Sequence, residues 1–369
     1  MSGWMIKGVL GGSGPTVAIK DSIDVAGWPT RAGSRAFEQC APATVHAEVV
    51  QAMLSKGWQV TGKTVLHELA FGLTGINEWA GTPINPMAPD RIVGGSSSGS
   101  AAVVAQGEVD VALGTDTGGS VRMPAACCGI FGFKPTFARL SRRGVQPLAT
   151  TLDCVGPMAR HMSGIVAAMS AMDDTFKLAE PREHYRVGVV QVDCQAEVQA
   201  ALDVALAGSG WSTQPVELAG LPAAFEAALT MINAETWAAF GHYTGKGLLG
   251  ADVETRLIRA ADTTAQHKAQ AEQVRHTFSL EIDALLQTFD ALVLPSLPRL
   301  PSFLEDVLAG ASVLDLTCFL RPFNLSGHPA LTVPVPCVDV PLMAGMQLIG
   351  RKQGDELLCA MATELTAQR

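Results

Sequence analysis

The hydrophobic pattern switches repeatedly between short continuous apolar runs and longer segments of helical spacing. Pro15 to Asp24 (PTVAIKDSID) is a short apolar run that ends in a lysine and a polar turn, as a buried strand does. Val45 to Lys56 (VHAEVVQAMLSK) places its apolar residues at helical spacing, Gly57 stops that helix, and a strand follows within GWQVTGKT. Residues 84–95 (INPMAPDRIVGG) are broken by proline and glycine into a loop, and SGSAAVVAQG after them reads as a short helix of small residues. VDVALG is a second buried strand, closed by the glycine turn of DTGGS, and SVRMPAACCG is another small-residue helix.

From Ala179 to Phe289 the character changes. VGVVQV reads as one strand, and Ala- and Glu-rich stretches such as AAFEAALTMINAETWAAF then predict a mostly helical lobe. DALVLP at Asp290 to Pro295 returns to strand, followed by TVPVP and GMQLIG, and DELLCAMATELTAQ reads as a closing helix. Strands alternating with helices predict an α/β fold, a mixed sheet covered by helices on both faces. The expected organisation is a single domain over 1–369. It comprises a core at 1–178, the helical, substrate-side lobe at 179–289, and a return to the core sheet at 290–369.

Composition narrows the function. The 369 residues are 48% hydrophobic and 17% charged, which suits a compact globular chain. A net charge of −9 with no Lys/Arg run removes the electrostatic footprint that nucleic acid or an anionic membrane requires. The eight cysteines include no CxxC pair, so buried free thiols in a reducing cytoplasm are the expectation. The first residues, MSGWMIKGVLGGSG, hold no apolar leader core, and no segment approaches the length that spans a bilayer, so the chain is expected to be cytoplasmic.

Three short motifs suggest other chemistry and fail on context. GWQVTGKT matches the phosphate-loop pattern from Gly57 to Thr64. That loop needs a strand before it and a helix after it, whereas here a helix precedes and Trp58, Val60 and Thr61 are bulky where the backbone must curl. GSSSG, with Ser97 at its centre, fits the nucleophile elbow of hydrolases, but a proline-broken loop stands where the strand should be. His67 and Glu68 in HELAF lack the second histidine of the zinc spacing. No metal and no cofactor are expected.

The segment GGSSSGSAAVVAQGEVDVALGTDTGGSVRMPAACCGIFGFKPT resembles the signature of the amidase signature family. The resemblance runs from Pro15 through Pro157, with weaker matches in FDALVLPSLP, FNLSGHPALTVPVP and GMQLIG. It implies the amidase signature fold, a mixed twisted β-sheet between helices, and a Ser/cis-Ser/Lys constellation. Lys20 then falls at the base, Ser96 at the serine after a cis peptide bond, and Ser120 at the nucleophile. This is chemically coherent: a serine hydroxyl needs a base, no histidine sits in these motifs, and burial lowers a lysine's pKa toward a useful range. Ser96 would relay the proton to the leaving nitrogen. The N–H groups of Thr117, Gly118, Gly119 and Ser120 would form the oxyanion hole, where consecutive glycines let the backbone approach. Asp116 and Arg122 would brace this turn, and the resemblance places Phe71 and Gly72 beside the acyl pocket.

Within the family, Lys20 comes early, after a shorter N-terminal arm than most members carry before this lysine. The compact start and GTPINPMAPDRIVGGSSSGSA resemble the short indole-3-acetamide hydrolases. These make a small primary amide, aromatic among the options, the first expected substrate; a homodimer is one option for the assembly, although the longer arm is where family members often make their dimer contacts. Three other readings stand beside it. One is the amidotransferase component that amidates mischarged tRNA together with partner subunits. Another is a non-catalytic amidase-like docking module, which has no need of Lys20, Ser96 and Ser120 together. The last is a ureide or carboxybiuret hydrolase, whose carboxylate would call for an arginine such as Arg321 or Arg299.

Overall fold

The computed structural model describes residues 3–367. Its strands are β1 (Trp4–Gly11), β2 (Thr16–Lys20), β3 (Gln59–Thr64), β4 (Val111–Asp116), β5 (Phe131–Lys134), β6 (Cys154–Ala159), β7 (Arg186–Val190), β8 (Ser212–Val216), β9 (Ala291–Pro295), β10 (Ala330–Pro336) and β11 (Met343–Ile349). They form one 11-stranded sheet in the order β1-β3-β2-β4-β6-β5-β10-β11-β9-β7-β8. The sheet is mixed. β2 lies parallel to both β3 and β4, β7 lies parallel to β8 and β9, and the remaining pairs are antiparallel.

The helices are α1 (Glu48–Ser55), α2 (Ser98–Ala105), α3 (Arg122–Cys128), α4 (Met162–Met172), α5 (Ala196–Ala207), α6 (Leu221–Phe240), α7 (Ala251–Ala260), α8 (Ala265–Thr288), α9 (Leu304–Leu308), α10 (Arg321–Leu325) and α11 (Asp355–Ala367). Successive strand residues point to opposite faces, and β2 shows what each face meets. Val17 and Ile19 join the core cluster of Val50 and Met53 from α1, Ile165 from α4 and Leu358 from α11. Ala18 packs instead with Ala101 and Ala102 of α2 and Ala125 of α3. Small side chains on this second face bring α2 and α3 close to the sheet. At Gly99 a Cβ would stand 2.4 Å from the carbonyl oxygen of Gly3 and 2.6 Å from that of Val65. Lys20 lies two residues beyond Ala18, so it projects on the same close-packed side.

Strands β2, β3, β4, β7, β9, β10 and β11 fall where the apolar runs predict them. β1, β5, β6 and β8 do not stand out in the sequence, for physical reasons. β1 includes a charged Lys7 and two glycines, is at best half-buried, and pairs with β3 through two register irregularities. β8 is exposed at four of its five positions and contains Pro215, which an edge strand tolerates because it need not donate to the ladder. Residues 179–289 therefore supply the far edge of the sheet through β7 and β8, as well as helices α5 to α8. The predicted closing helix is described as far as Ala367, and its last expected residue, Gln368, lies outside the described residues. All eight cysteines are free; Cys40, Cys194 and Cys318 are half-buried and the other five buried. No helix among the described residues is long and apolar enough to cross a membrane.

Candidate active site

Lys20 ends β2 with its ammonium-bearing arm fully buried. Its Nζ lies 2.8 Å from Ser96 Oγ and 2.8 Å from Thr115 Oγ1, with the Thr115 carbonyl oxygen at 3.4 Å. Burial lowers the Lys20 pKa to about 7, against the opposing pull of the Asp153 and Asp116 carboxylates. A lysine in this state is neutral in a useful fraction of molecules near pH 7, which an exposed lysine is not.

Ser96 follows a cis bond from Gly95 and is fully buried. Its carbonyl accepts the His67 N–H at 2.9 Å, and the next residue, Ser97, donates its N–H to the Ser120 carbonyl at 3.3 Å. The first bond ties the start of α2 to the segment after β3, and the second ties it to the turn after β4. Ser120 is buried and, with Thr117 and Gly118, lines a cavity of about 670 Å³. Lys20, Ser96 and Ser120 are thus gathered on one face of the sheet, Ser120 alone reaching the cavity wall.

The turn that presents Ser120 is held by charge. Asp116 accepts from the Gly119 N–H at 2.8 Å, and from the Val121 and Arg122 N–H groups at 3.2 and 3.3 Å. The Arg122 guanidinium meets the same carboxylate through Nε at 3.0 Å and Nη2 at 2.9 Å, and both side chains are fully buried. Burial alone would raise the Asp116 pKa, but the Arg122 charge and its hydrogen bonds hold the carboxyl well below the usual range. Arg122 Nη1 continues to the Leu320 carbonyl at 3.0 Å and Gln347 Oε1 at 2.7 Å, and Asn324 Nδ2 donates back to Asp116 Oδ1 at 2.8 Å. Gly119 itself adopts φ +109°, and a Cβ there would sit 2.6 Å from Leu320 Cδ1, so only glycine fits.

This bracing corrects one expectation. The Gly119 N–H, expected in the oxyanion hole, is already donated to Asp116, because the turn curls back over that carboxylate. Of the expected donors, Thr117, Gly118 and Ser120 remain, and all three border the cavity. Phe71 and Gly72 line the same cavity. A Cβ at Gly72 would fall 1.9 Å from His67 Nε2, which explains the glycine. His67 is buried against Asp252 Oδ2 at 3.2 Å and Thr74 Oγ1 at 3.3 Å, while Glu68 accepts from Ser34 Oγ and from the Gly250 N–H at 2.8 Å. These two residues therefore fasten the 66–72 segment to the approach of α7.

The other motifs have structural duties. Lys63 of the phosphate-loop look-alike is buried on β3, paired with Asp21 at 2.8 Å and bonded to the Pro29 carbonyl at 2.9 Å. Ser97 of the elbow look-alike is buried, its hydroxyl 3.3 Å from the Thr115 carbonyl. Of the two arginines considered for a carboxylate, Arg321 borders the cavity, whereas Arg299 pairs with Asp315 at 2.8 Å in a different cleft.

Sequence reading missed Thr115, Asp153, Asn324 and Gln347. Asp153 accepts from Thr117 Oγ1 at 2.9 Å and pairs with Arg142 at 2.7 Å, so it gives the same turn a second anchor besides Asp116. Thr115 stands inside the matched GTDTGGS block and Asn324 inside FNLSGHPALTVPVP, which is the only local signal for either. Their partners lie far along the chain, and no local pattern records that.

Fold and site together describe an α/β enzyme built to split amide C–N bonds. The family model for Amidase matches residues 11–359, and the chain belongs to that family, the amidase signature enzymes. The chain is 32% identical to the A component of the glutamyl-tRNA(Gln) amidotransferase of Methanosarcina acetivorans, across 92% of this chain and 81% of that protein. The crystal structure of the same component from Thermotoga maritima is similar with a TM-score of 0.81 and 29% identity, over 94% of this chain and 82% of that one. A crystal structure described as an amidase is similar with a TM-score of 0.86 and 28% identity, over 96% and 84% of the two chains.

Proposed function

We propose that this chain hydrolyses the carboxamide of a small substrate to a carboxylate and ammonia through an acyl-enzyme on Ser120. The observation that carries the reading is the buried, pKa-lowered Lys20 at 2.8 Å from the Ser96 hydroxyl, beside the turn that presents Ser120. Neutral Lys20 accepts the Ser96 proton, Ser96 takes that of Ser120, and Ser120 Oγ bonds to the amide carbon. The carbonyl oxygen becomes an oxyanion facing the N–H groups of Thr117, Gly118 and Ser120. Collapse breaks the C–N bond as the proton held by Lys20 passes through Ser96 to the nitrogen, which leaves as ammonia. Water then attacks the acyl carbon, its proton follows the same relay, and Ser120 regains a proton as the acid departs.

The likeness to the glutamyl-tRNA(Gln) amidotransferase component supports an ammonia-releasing role of that type over the small primary amide, aromatic among the options, expected from the sequence. A protein named as one part of an amidotransferase works beside others, so this reading brings a partner chain that uses the released nitrogen. The free thiols support a reducing compartment.

A serine-directed fluorophosphonate tests the nucleophile. Peptide mapping is expected to place the adduct on Ser120. Labelling of Ser97, or of no serine, would overturn the proposal. Ammonia release from glutamine, by the lone chain and after mixing with a cognate partner chain, then tests the amidotransferase reading; no release in either case removes it.

The pH profile follows from Lys20. The protonated amine cannot accept the Ser96 proton, so kcat/KM is expected to rise with pH through about 7 and level off above it. A profile flat from pH 5 to pH 9 would remove Lys20 from the role of base.

A further inference from the structure

In the relay proposed above, each turnover places the proton of Ser96 on Lys20. The ammonium so formed touches only neutral acceptors: Ser96 Oγ and Thr115 Oγ1, both at 2.8 Å, and the Thr115 carbonyl oxygen at 3.4 Å. A fully buried cation with no anion near it is disfavoured, and a lysine too reluctant to take a proton is a poor base. Some group must support that charge from a distance.

The sheet shows where an anion reaches it. The strand order runs β2-β4-β6, so β4 separates Lys20 from the start of β6. In the β4–β6 ladder Asp116 stands opposite Cys154, which leaves Thr117 and Asp153 as the facing pair one step beyond it. Alternation along the chain puts Thr115 and Thr117 on one side of β4 and Asp116, between them, on the other. Thr115 Oγ1 meets Lys20, and Thr117 Oγ1 donates to Asp153 Oδ1 at 2.9 Å. The amine and this carboxylate therefore gather at the same end and side of β4, while Asp116 turns to Arg122.

The other titratable groups near Lys20 cannot do the same work. Arg122 grips both oxygens of Asp116, and that pair is fully buried, so its charges cancel in place. His67, from the segment after β3, can only add positive charge, and burial lowers its pKa. The Cys154 thiol is pushed up to about 11 by burial and stays neutral. Asp153 is different. It is 1% exposed, whereas its partner Arg142, which meets it through Nη2 at 2.7 Å and Nε at 3.1 Å, is 15% exposed. Water screens the arginine on the outer side, so the field of the carboxylate persists on the inner side, toward Lys20. Of the two carboxylates, Asp153 pulls harder on the lysine.

We infer that Asp153 is a positioning residue of the relay: from across β4 its carboxylate supports the proton on Lys20, while its bond to Thr117 fixes the oxyanion turn. This inference rests on the acyl-enzyme reading above and adds the anion that the relay otherwise lacks.

Asp153→Asn keeps an acceptor oxygen for Thr117 and removes the charge, and Arg142 can turn to water. Lys20 then loses support for its ammonium, so its pKa falls and the neutral base persists to lower pH. The readout is the second-order rate of fluorophosphonate labelling of Ser120 against pH. In Asp153→Asn its rising limb is expected about one pH unit below that of the parent. The plateau should also fall, because a weaker base takes the Ser96 proton less readily. Thr117→Val keeps the charge and removes the hydroxyl, so its plateau is expected to fall with the limb in place. Damage to the fold alone lowers a plateau without moving the limb. A limb that stays put in Asp153→Asn, or moves equally in Thr117→Val, would overturn the inference.

Direct titration separates this inference from the reading it rests on. With isotopically labelled lysine followed by NMR, the side-chain resonance missing from Lys20→Met reports Lys20 without any turnover. Its midpoint is expected at about pH 7 in the parent and about one pH unit lower in Asp153→Asn. Equal midpoints would sink the role of Asp153 even if Ser120 is labelled. A lowered midpoint with no labelling of Ser120 would sink the acyl-enzyme reading and leave the coupling of Asp153 to Lys20 standing.

Discussion

Lys20→Met is expected to lower kcat for amide hydrolysis about 10³-fold, within the range by which a positioned base accelerates proton transfer. Ser120→Ala is expected to lose at least as much, and the double variant no more than the worse single one, because the two side chains serve one proton-transfer path. Additive losses in that cycle would mean that Lys20 acts elsewhere. Folding offers a second readout. The Lys20 pKa of about 7 in the folded chain lies below the unfolded value of 10.5, so between these values the unfolded chain binds more protons. This one group therefore costs stability in full below pH 7, and the cost fades as pH rises toward 10.5. Urea denaturation should show the stability of Lys20→Met relative to the parent declining over that interval. A difference that stays constant or grows with pH would contradict a lysine held neutral by burial.

The second large effect concerns Arg122. Arg122→Met leaves the fully buried Asp116 carboxylate without its counter-ion and is expected to cost about 3–5 kcal/mol in urea unfolding. The same substitution should abolish fluorophosphonate labelling of Ser120, since Asp116 holds the Gly119 N–H and Arg122 holds the carbonyl of Leu320. Adding Asp116→Asn removes the orphaned charge, so the double variant should recover part of the stability while labelling stays low. Recovery of both would show that the pair serves only the fold. Labelling at the parent rate in Arg122→Met would show that the turn needs no charged brace.

These two sites also show how far the sequence can be read. The strand ending in Lys20, the small-residue helix after Ser96 and the glycine turn before Ser120 are visible because each depends on neighbours in the chain. A continuous apolar run buries a strand on both faces, and small residues let a helix approach it. Resemblance to the family supplies the pairing of these segments; periodicity cannot. The phosphate-loop and elbow look-alikes fail on local grounds alone, since the element order around each is wrong. The edge strands β1 and β8 escape notice because a half-solvated strand with glycine, lysine or proline lacks the apolar signal.

The sequence by itself determined the α/β alternation, the family, and the residues on which a Ser/Ser/Lys relay would be built, since these reside in contiguous segments. Tertiary structure decided that the Gly119 N–H belongs to Asp116, that Asn324 and Gln347 complete a network begun more than two hundred residues earlier, and that Arg321 rather than Arg299 faces the cavity. Hydrogen bonds and buried charges are satisfied by whatever the fold brings within about 3 Å, and the strand order that does so here joins β4 to β10 and β11 through crossovers that no local pattern encodes.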